Sequence, residues 1–394
     1  MIIMVVFQVF DGVRGENPEL LQKLVPVQGD LTLPGLGISE ADQETLTSCV
    51  SVVFHSGATV KFDEPLKSSV EVNVVGTRRV LEFCHKIRKL QVRSWLHRYL
   101  SSTTCVCAHQ ALVHLSTAYS NCDRREIDEV VYPSPVPPQK VIEAVDWLDD
   151  ETLTSITPHL IKNKPNAYTY TKALAENLLV EERGQLPVAV VRPSIVTAAW
   201  QEPLPGWVDN MNGPTGIIVA SMKGIFSSMH CDRSCVADLI PVDIVINLVI
   251  AVACYTAMDK SSEVAVYNCT SGNLNRLTWG RLADVGFPVI RAHPATGVLG
   301  VPRGNLRDSR LANWYCILAH HLIPAYLLDL GLLLTRQRPR FVKIYSRLHR
   351  AEDTLHFFTT NQWRFTSNNV VALFDRLSDS DKKVRSSHST VSLF

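Results

Sequence analysis

The sequence predicts an α/β protein with a doubly wound parallel sheet, followed by a C-terminal helical domain. Three observations predict this fold. Short β-branched segments alternate with longer helical segments from about residue 17 to residue 270, which is typical of a parallel sheet with helices on both faces. Hydrophobic residues make up 46% of the 394 residues and charged residues 20%, enough apolar material for one large or two smaller cores. From about residue 311 the chain becomes mostly apolar and then basic, which indicates a separate helical unit.

The elements of the sheet follow one another in order. Asn17 and Pro18 suit the cap and the first position of a helix, and this helix reaches about Leu24. A short strand at 25–28 follows. The later strands are bounded by polar residues and are separated by helices, the clearest of which are at 66–90 and 168–182. These later strands are predicted at 50–55, 112–116, 188–191 and 264–268.

Charge and cysteine content argue against several functions. The chain has 39 Lys and Arg against 38 Asp and Glu, so no overall field favours a nucleic-acid partner. Ten cysteines are scattered without regular spacing, which favours free thiols in a reducing compartment. We expect no metal site, because two candidate groups lack a second ligand pair at zinc-site spacing. These groups are Cys105, Cys107 and His109, and His230, Cys231 and Cys235.

Two apolar segments bear on membrane contact. The segment 241–258 carries Asp243 and Asn247 in a helical pattern and is predicted to be a core helix. The segment 311–334 is longer and is followed by the basic residues of 336–350. We expect this second segment to insert into a bilayer or to lie at its surface, with a soluble helical subdomain as the alternative. The sequence does not indicate an oligomeric state.

One residue spacing suggests proton-transfer chemistry. Tyr168 and Lys172 are four residues apart, so on a helix they lie on the same face. A phenol titrates near about pH 10, and a neighbouring ammonium ion favours the phenolate and lowers its pKa toward the working range. The pair therefore suits a proton donor to a substrate carbonyl. A solvated helix face is the alternative, since such pairs also arise by chance.

A hydroxyl group at the end of a predicted strand completes the pattern. The strand ends at Ser116 and Thr117, and ligands of open α/β sheets bind at the carboxyl ends of the strands. We expect Thr117 to hydrogen-bond to the carbonyl oxygen, with Ser116 as the alternative hydroxyl. Tyr170 is the alternative phenol, although it lies only two residues from Lys172 and points elsewhere on the helix. Thr117, Tyr168 and Lys172 together resemble the catalytic triad of extended short-chain dehydrogenases.

Longer runs narrow the resemblance to one family. Over about 17–377 the chain is similar to the fatty acyl-CoA reductases of the animal type. An epimerase or a sterol dehydrogenase of the same superfamily is the alternative, which the runs around Thr117 and Trp207 argue against. The runs are VQGD at 27–30, VFHSGATV at 53–60, NVVGT at 73–77, STAYSNCDR at 116–124, VRPSIV at 191–196, EPLPGWVDN at 202–210 and GPTG at 213–216.

The resemblance implies a domain organisation and a reaction. A Rossmann-like domain would occupy 1–275, a linker 276–310, a helical C-terminal domain 311–378 and a disordered tail 379–394. The reaction would be the NADPH-dependent reduction of long-chain fatty acyl-CoA to fatty alcohol through an aldehyde. Membrane association through 311–334 would place the enzyme at the endoplasmic reticulum with its catalytic part facing the cytosol, because Ser392-Leu393-Phe394 is not a peroxisomal signal.

The resemblance also implies roles for individual residues. Thr117 and Tyr168 would contact the substrate carbonyl, and Lys172 would hold the nicotinamide ribose. The remaining cofactor contacts would run from Asp30 at the adenine through Gly57 and Ala58 at the middle of the cofactor to the nicotinamide. The residues expected in this cofactor site are Asp30, Gly57, Ala58, Asn73, Pro193, Ser194 and Ile195. For the glycines, an ordinary role in turns is the alternative.

Two features depart from the family pattern. Members of the family begin with a strand and a GxxGxxG turn that binds the cofactor pyrophosphate, and neither precedes Asn17. We therefore expect a sheet that lacks its first βαβ part and has a gap in its middle, with little or no NADPH binding. Residues 91–110 form an expected insertion before the strand that carries Thr117. A catalytically impaired remnant that binds acyl chains or membranes is the alternative to an active reductase.

Overall fold

The structure is a computed structural model that describes residues 10–16, 18–87, 110–259 and 263–377. Short strands and longer helices alternate along most of this part of the chain. The strands, in chain order, are β1 (Val52–His55), β2 (Ala111–Leu115), β3 (Glu126–Ile127), β4 (Val188–Pro193), β5 (Ile195–Thr197), β6 (Met229–His230), β7 (Leu239–Pro241), β8 (Ala265–Cys269), β9 (Leu306–Arg307) and β10 (Arg364–Phe365).

The helices are on average longer than the strands, and two of them contain a π turn. They are α1 (Asp11–Glu16), α2 (Glu40–Cys49), α3 (Leu66–Val70, Glu71–Val75 and Gly76–Lys86), α4 (Pro138–Trp147), α5 (Asp150–Ile161), α6 (Ala167–Glu182), α7 (Pro214–Met222), α8 (Val242–Met258), α9 (Trp279–Ala292), α10 (Arg310–Ile317, Leu318–Leu322 and Ile323–Leu334), α11 (Phe341–Thr359) and α12 (Asn368–Arg376). Short 3-10 turns lie at Pro18–Lys23, Pro34–Gly37 and Ala118–Asn121.

The centre of the protein is a four-stranded parallel sheet in the order β1, β2, β4, β8. Successive residues of β2 point to opposite faces, so Leu112 packs in one core and Val113 in the other. The first core contains residues of α3, α4 and α6, and the second contains residues of α8 and α12. The predicted α/β class, with a parallel sheet and a helical C-terminal part, is confirmed. The apolar segment 241–258 is the helix α8, which packs in the second core as predicted.

The first predicted strand is wrong. Residues 24–30 have no regular structure, and the predicted helix before them is the 3-10 turn Pro18–Lys23. Within the described residues no strand lies beside the free edge of β1, so Val25 is 80% exposed instead of packed in a sheet. A β-branched run forms a strand only where a neighbour accepts and donates its hydrogen bonds. Among the described residues, β1, β2, β4 and β8 form a continuous sheet with β1 at one edge. The expected gap in the middle of the sheet is therefore absent.

Some predictions fall on residues that the structure does not describe. The expected insertion at 91–110 lies outside the described residues except for Gln110, and so do Asn17 and the tail after 377. The candidate metal residues Cys105, Cys107 and His109 lie outside them as well. Within the described residues, no group of three or more His, Cys, Asp or Glu side chains could hold a metal ion.

The C-terminal part is a helical hairpin that returns to the sheet. The carboxylate of Asp329 in α10 accepts hydrogen bonds from the backbone N–H groups of Arg340, Phe341 and Val342 at the start of α11. After α11, β10 pairs in parallel with β3, and α12 packs against β8. Arg310–Leu334 is long and apolar enough to cross a membrane, with a mean hydropathy of 1.7 and only 17% of its apolar window buried.

Candidate active site

The carboxyl ends of β2 and β4 open into a large cavity. Its volume is about 1120 Å³, and most of its wall is apolar. Thr117 and Tyr168 line it together with three of the predicted cofactor residues, Pro193, Ser194 and Ile195. Residues from α7, α9 and α11 form much of the remaining wall. The predicted hydroxyl groups of Thr117 and Tyr168 therefore line a space that suits a long apolar ligand.

Local hydrogen bonds fix the positions of the two hydroxyl groups. The side chain of Asn166 accepts a hydrogen bond from Thr169 N–H and so caps α6, which sets Tyr168 in the first turn of that helix. Thr117 follows β2, and its hydroxyl accepts a hydrogen bond of 3.3 Å from Tyr119 N–H. The hydroxyl of Thr117 lies near enough to that of Tyr168 to lower its pKa, and both residues line the cavity. Both groups can therefore reach one substrate oxygen.

Lys172 lies one helical turn beyond Tyr168, as the spacing predicts. Its side chain is buried, and its ammonium group donates a hydrogen bond of 2.8 Å to the carbonyl oxygen of Leu115 at the end of β2. Burial lowers the pKa of Lys172 to about 8, although the charge of Glu176 opposes this shift. At neutral pH most of the lysine is charged, and above about pH 8 it loses that charge.

The pKa of Tyr168 contradicts the prediction of an acidic phenol. Burial raises the pKa of Tyr168 to about 12, and the hydrogen bond with Thr117 only partly opposes this effect. Lys172 is not among the causes of the shift, because its ammonium group is directed at the Leu115 carbonyl. The phenol is therefore protonated at neutral pH, which is the form that donates a proton.

The alternative hydroxyl, Ser116, also lines the cavity, but it donates its hydrogen bond to a buried carboxylate. Ser116 Oγ donates a hydrogen bond of 2.5 Å to Glu176, whose carboxylate pairs with Arg192 at 2.6 Å. Arg192 also donates to the carbonyl oxygens of Asp128 and Val130, and its side chain is fully buried. This network holds β2, β4 and α6 together behind the cavity. The geometry favours Thr117 as the hydroxyl that faces a substrate.

The alternative phenol, Tyr170, lies away from the cavity. Its side chain is buried in the first core, and burial raises its pKa to about 12. Its hydroxyl has no hydrogen-bond partner among the described residues and is not part of the cavity wall. The geometry favours Tyr168 as the proton donor.

The other predicted cofactor residues do not line this cavity. The amide of Asn73 bonds to the backbone of Thr59 and to the hydroxyl of Thr171, so it fastens the segment after β1 to α6. Asp30 is exposed, and its carboxylate accepts hydrogen bonds from the backbone N–H and hydroxyl of Thr32. Gly57 and Ala58 follow β1 directly and are also outside the wall.

The donor groups at the cavity fit the nicotinamide half of a dinucleotide. The buried hydroxyl of Ser194 has no partner among the described residues, and the phenol of Tyr168 lines the same cavity. The ammonium group of Lys172 is buried one helical turn beyond Tyr168. Ribose hydroxyls and a carboxamide are suitable ligands for such groups. The pyrophosphate half is different, because the 394 residues contain no GxxGxxG turn that would bring backbone N–H groups to a phosphate.

Sequence reasoning missed several residues of the site. Phe62 lines the cavity, with its ring centroid 5.4 Å from that of Tyr168 and 5.6 Å from that of Phe358. Arg347 and Arg350 of α11 also line the cavity. The basic cluster was visible in the sequence, but only packing shows which of its members face the cavity.

The chain is similar in sequence to known proteins over most of its length. The sequence profile of the male sterility protein family matches residues 4–249, and a second profile of the same description matches 320–385. Fatty acyl-CoA reductase 1 from Xenopus laevis is 42% identical over 377 residues, which cover 96% of this chain and 70% of that protein. The human protein of the same name is 39% identical, with 95% of this chain and 69% of that protein covered.

One solved structure supports the fold alone. The terminal R domain from the myxalamid PKS-NRPS biosynthetic pathway superposes with a TM-score of 0.51 at 17% sequence identity. The superposition covers 93% of this chain and 74% of that domain.

Proposed function

This chain belongs to the fatty acyl-CoA reductases, the male sterility protein family, and from that membership we propose that it reduces long-chain fatty acyl-CoA to fatty alcohol with NADPH, through an aldehyde. One observation supports the proposal above the others. The side chains of Thr117 and Tyr168 line a large, mostly apolar cavity, and the buried ammonium group of Lys172 donates a hydrogen bond to Leu115, at the end of the strand that precedes Thr117. We further propose that 1–275 forms the cofactor domain, 276–310 the linker and 311–378 the helical domain.

The residues act on the carbonyl oxygen of the substrate. The nicotinamide cofactor supplies the hydride in each of two transfers. Negative charge develops on the carbonyl oxygen at each transfer, and the hydroxyls of Thr117 and Tyr168 stabilise it by hydrogen bonds. The first transfer ends with loss of the thiolate of CoA, which leaves the aldehyde. In the second, Tyr168 gives its proton to the aldehyde oxygen, and the product is the alcohol. Lys172 would hold the nicotinamide ribose.

The reaction can be tested with purified protein. We expect palmitoyl-CoA and millimolar NADPH to give hexadecanol, measured by gas chromatography, with two NADPH consumed per alcohol. NADH in place of NADPH is the matched control for the cofactor. Absence of both alcohol and aldehyde at millimolar NADPH would contradict the proposed activity.

An impaired remnant is the second candidate, and the missing GxxGxxG turn is the observation that favours it. Such a chain would bind acyl-CoA in the cavity without turnover. We expect weak NADPH affinity in either case, because the pyrophosphate would lack its usual backbone donors. Calorimetry on the 394-residue chain measures this affinity, and a submicromolar dissociation constant would contradict the expectation. Turnover at millimolar NADPH distinguishes the weak-binding enzyme from the remnant.

We also propose that α10 docks the enzyme on the cytosolic face of the endoplasmic reticulum. Many of its large apolar side chains are exposed, such as Leu327 at 64% and Leu330 at 54%. We expect the protein to float with phosphatidylserine vesicles in a density gradient and the Leu327→Ser/Leu330→Ser variant to float less. Val285→Ser, which changes an exposed apolar residue of α9, is the control. Equal flotation of the wild type and both variants would contradict docking through α10. A peroxisomal signal in fluorescence imaging of cells would contradict the location at the endoplasmic reticulum.

A further inference from the structure

The helix α11 separates the cavity from α10. Tyr345 on one face stacks on His321 of α10, and Glu352 on the same face accepts a hydrogen bond from Asn313 of α10. The other face lines the cavity at intervals of three or four residues, as a helix requires. The residues of this cavity face are Ile344, Arg347, Leu348, Ala351, Thr354, Leu355 and Phe358, and Arg350 lies at its border.

Two cations lie in an otherwise mostly apolar wall. Arg347 and Arg350 are the basic residues that line the cavity, and Asp63 is the acidic one. Asp63 follows Phe62, whose ring packs against Tyr168. Asp63 is therefore placed at the end of the cavity that holds Thr117 and Tyr168. Arg347 and Arg350 are exposed, and in the described part of the chain neither has an ion pair or a hydrogen bond. Several arginines elsewhere in the protein, such as Arg78 and Arg192, form ion pairs.

We propose that Arg347 and Arg350 bind the phosphate groups of the CoA moiety while the thioester lies at Thr117 and Tyr168. The proposal rests on the proposed function, since it concerns the same substrate. A guanidinium group presents a planar set of donors that matches two phosphate oxygens at once. CoA carries several phosphate charges at one end and a neutral arm at the other. The cavity has a matching arrangement, with the guanidinium groups of Arg347 and Arg350 in one part of its wall and the hydroxyls of Thr117 and Tyr168 in another.

The spacing along α11 fits this arrangement. Phe358 packs on Phe62 near Tyr168, and Arg347 lies eleven residues before it, which is about 16 Å along a helix at 1.5 Å per residue. The pantetheine arm of CoA has about thirteen bonds between the sulfur and the first phosphorus, and at the extension of a peptide backbone this is roughly 15 Å. A thioester carbonyl at the two hydroxyls therefore places the diphosphate beside Arg347.

Phosphates of lipid headgroups share this chemistry. The basic loop before α11, which contains Arg338, leads away from the apolar helix α10 and has no place in the cavity wall. We therefore assign the loop to lipid and the two cavity-lining arginines to CoA.

The test compares two ligands that differ only in their phosphates. Binding of palmitoyl-CoA and of S-palmitoyl-pantetheine, each below its micelle concentration, is measured by calorimetry on the full chain without cofactor. We expect the wild type to bind palmitoyl-CoA about tenfold more tightly than the pantetheine ester. The Arg347→Gln/Arg350→Gln variant should bind both esters alike, with the pantetheine ester unchanged. Because turnover is not needed, failure of the reductase activity leaves this comparison intact.

Control variants separate the possible outcomes. Arg338→Gln/Lys343→Gln removes two exposed cations that do not line the cavity and should keep the preference for the CoA ester. Arg347→Lys/Arg350→Lys should restore part of it. Flotation with phosphatidylserine vesicles should weaken in the Arg338→Gln/Lys343→Gln variant and not in Arg347→Gln/Arg350→Gln. An unchanged preference for palmitoyl-CoA in Arg347→Gln/Arg350→Gln, or loss of vesicle binding in that variant, would overturn the proposal.

Discussion

Tyr168→Phe is expected to lower kcat for alcohol formation by about 10²–10⁴-fold, which is the usual contribution of a positioned proton donor. The phenol is protonated at neutral pH, since burial raises its pKa to about 12, and it lines the cavity together with Thr117. The Phe variant keeps the ring that packs on Phe62, so binding of the acyl chain should change little. The rate of hexadecanal reduction isolates the step in which the proton is transferred, and gas chromatography measures it.

Tyr170→Phe is the matched control for this prediction. It removes a hydroxyl on the same helix that is buried, has no partner among the described residues and does not line the cavity. Activity should stay within about twofold, and removal of an unpaired buried hydroxyl should raise stability by about 1 kcal/mol. Retained activity in Tyr168→Phe together with loss in Tyr170→Phe would reverse the assignment of the two phenols.

Local periodicity explains what the sequence could predict of this site. Tyr168 and Lys172 lie on the same face of α6 because four residues make about one helical turn, and Thr117 shares the cavity with Tyr168 because it directly follows the end of β2. The direction of the Lys172 ammonium group could not be predicted, since its partner is the backbone of Leu115, 57 residues away. Burial of the phenol, which depends on the packing around it, raises the pKa of Tyr168, so the predicted lowering was wrong.

Long-range pairing explains most of the remaining differences. Ser116 could not be separated from Thr117 by sequence, because its partner Glu176 is 60 residues away. The strand predicted at 25–28 failed because strand formation depends on a neighbour and not on the β-branched run alone. The sequence could not show which face of α11 lines the cavity, because both faces of this helix carry apolar and basic residues.

Arg192→Met is expected to destabilise the protein by about 3–5 kcal/mol, because it leaves the carboxylate of Glu176 buried without its counter-charge. The side chains of Arg192 and Glu176 are 0% and 1% exposed, and the guanidinium also satisfies two backbone carbonyl oxygens. Ser116 would remain the only side-chain donor in the described network to that carboxylate. The free energy of unfolding in urea measures the effect, and a melting temperature confirms its direction.

Arg78→Met is the matched control, because Arg78 pairs through two nitrogens with Glu182 on the same helix, α6, but at a partly exposed position. Water can solvate Glu182 after the change, so the loss should stay below about 1 kcal/mol. The double variant Glu176→Leu/Arg192→Met should recover part of the loss, since it removes the unpaired charge along with its partner. Equal losses in Arg192→Met and Arg78→Met would mean that burial does not set the energy of these pairs. Backbone packing, and not the charges of Glu176 and Arg192, would then have to stabilise the arrangement of β2, β4 and α6 next to Thr117.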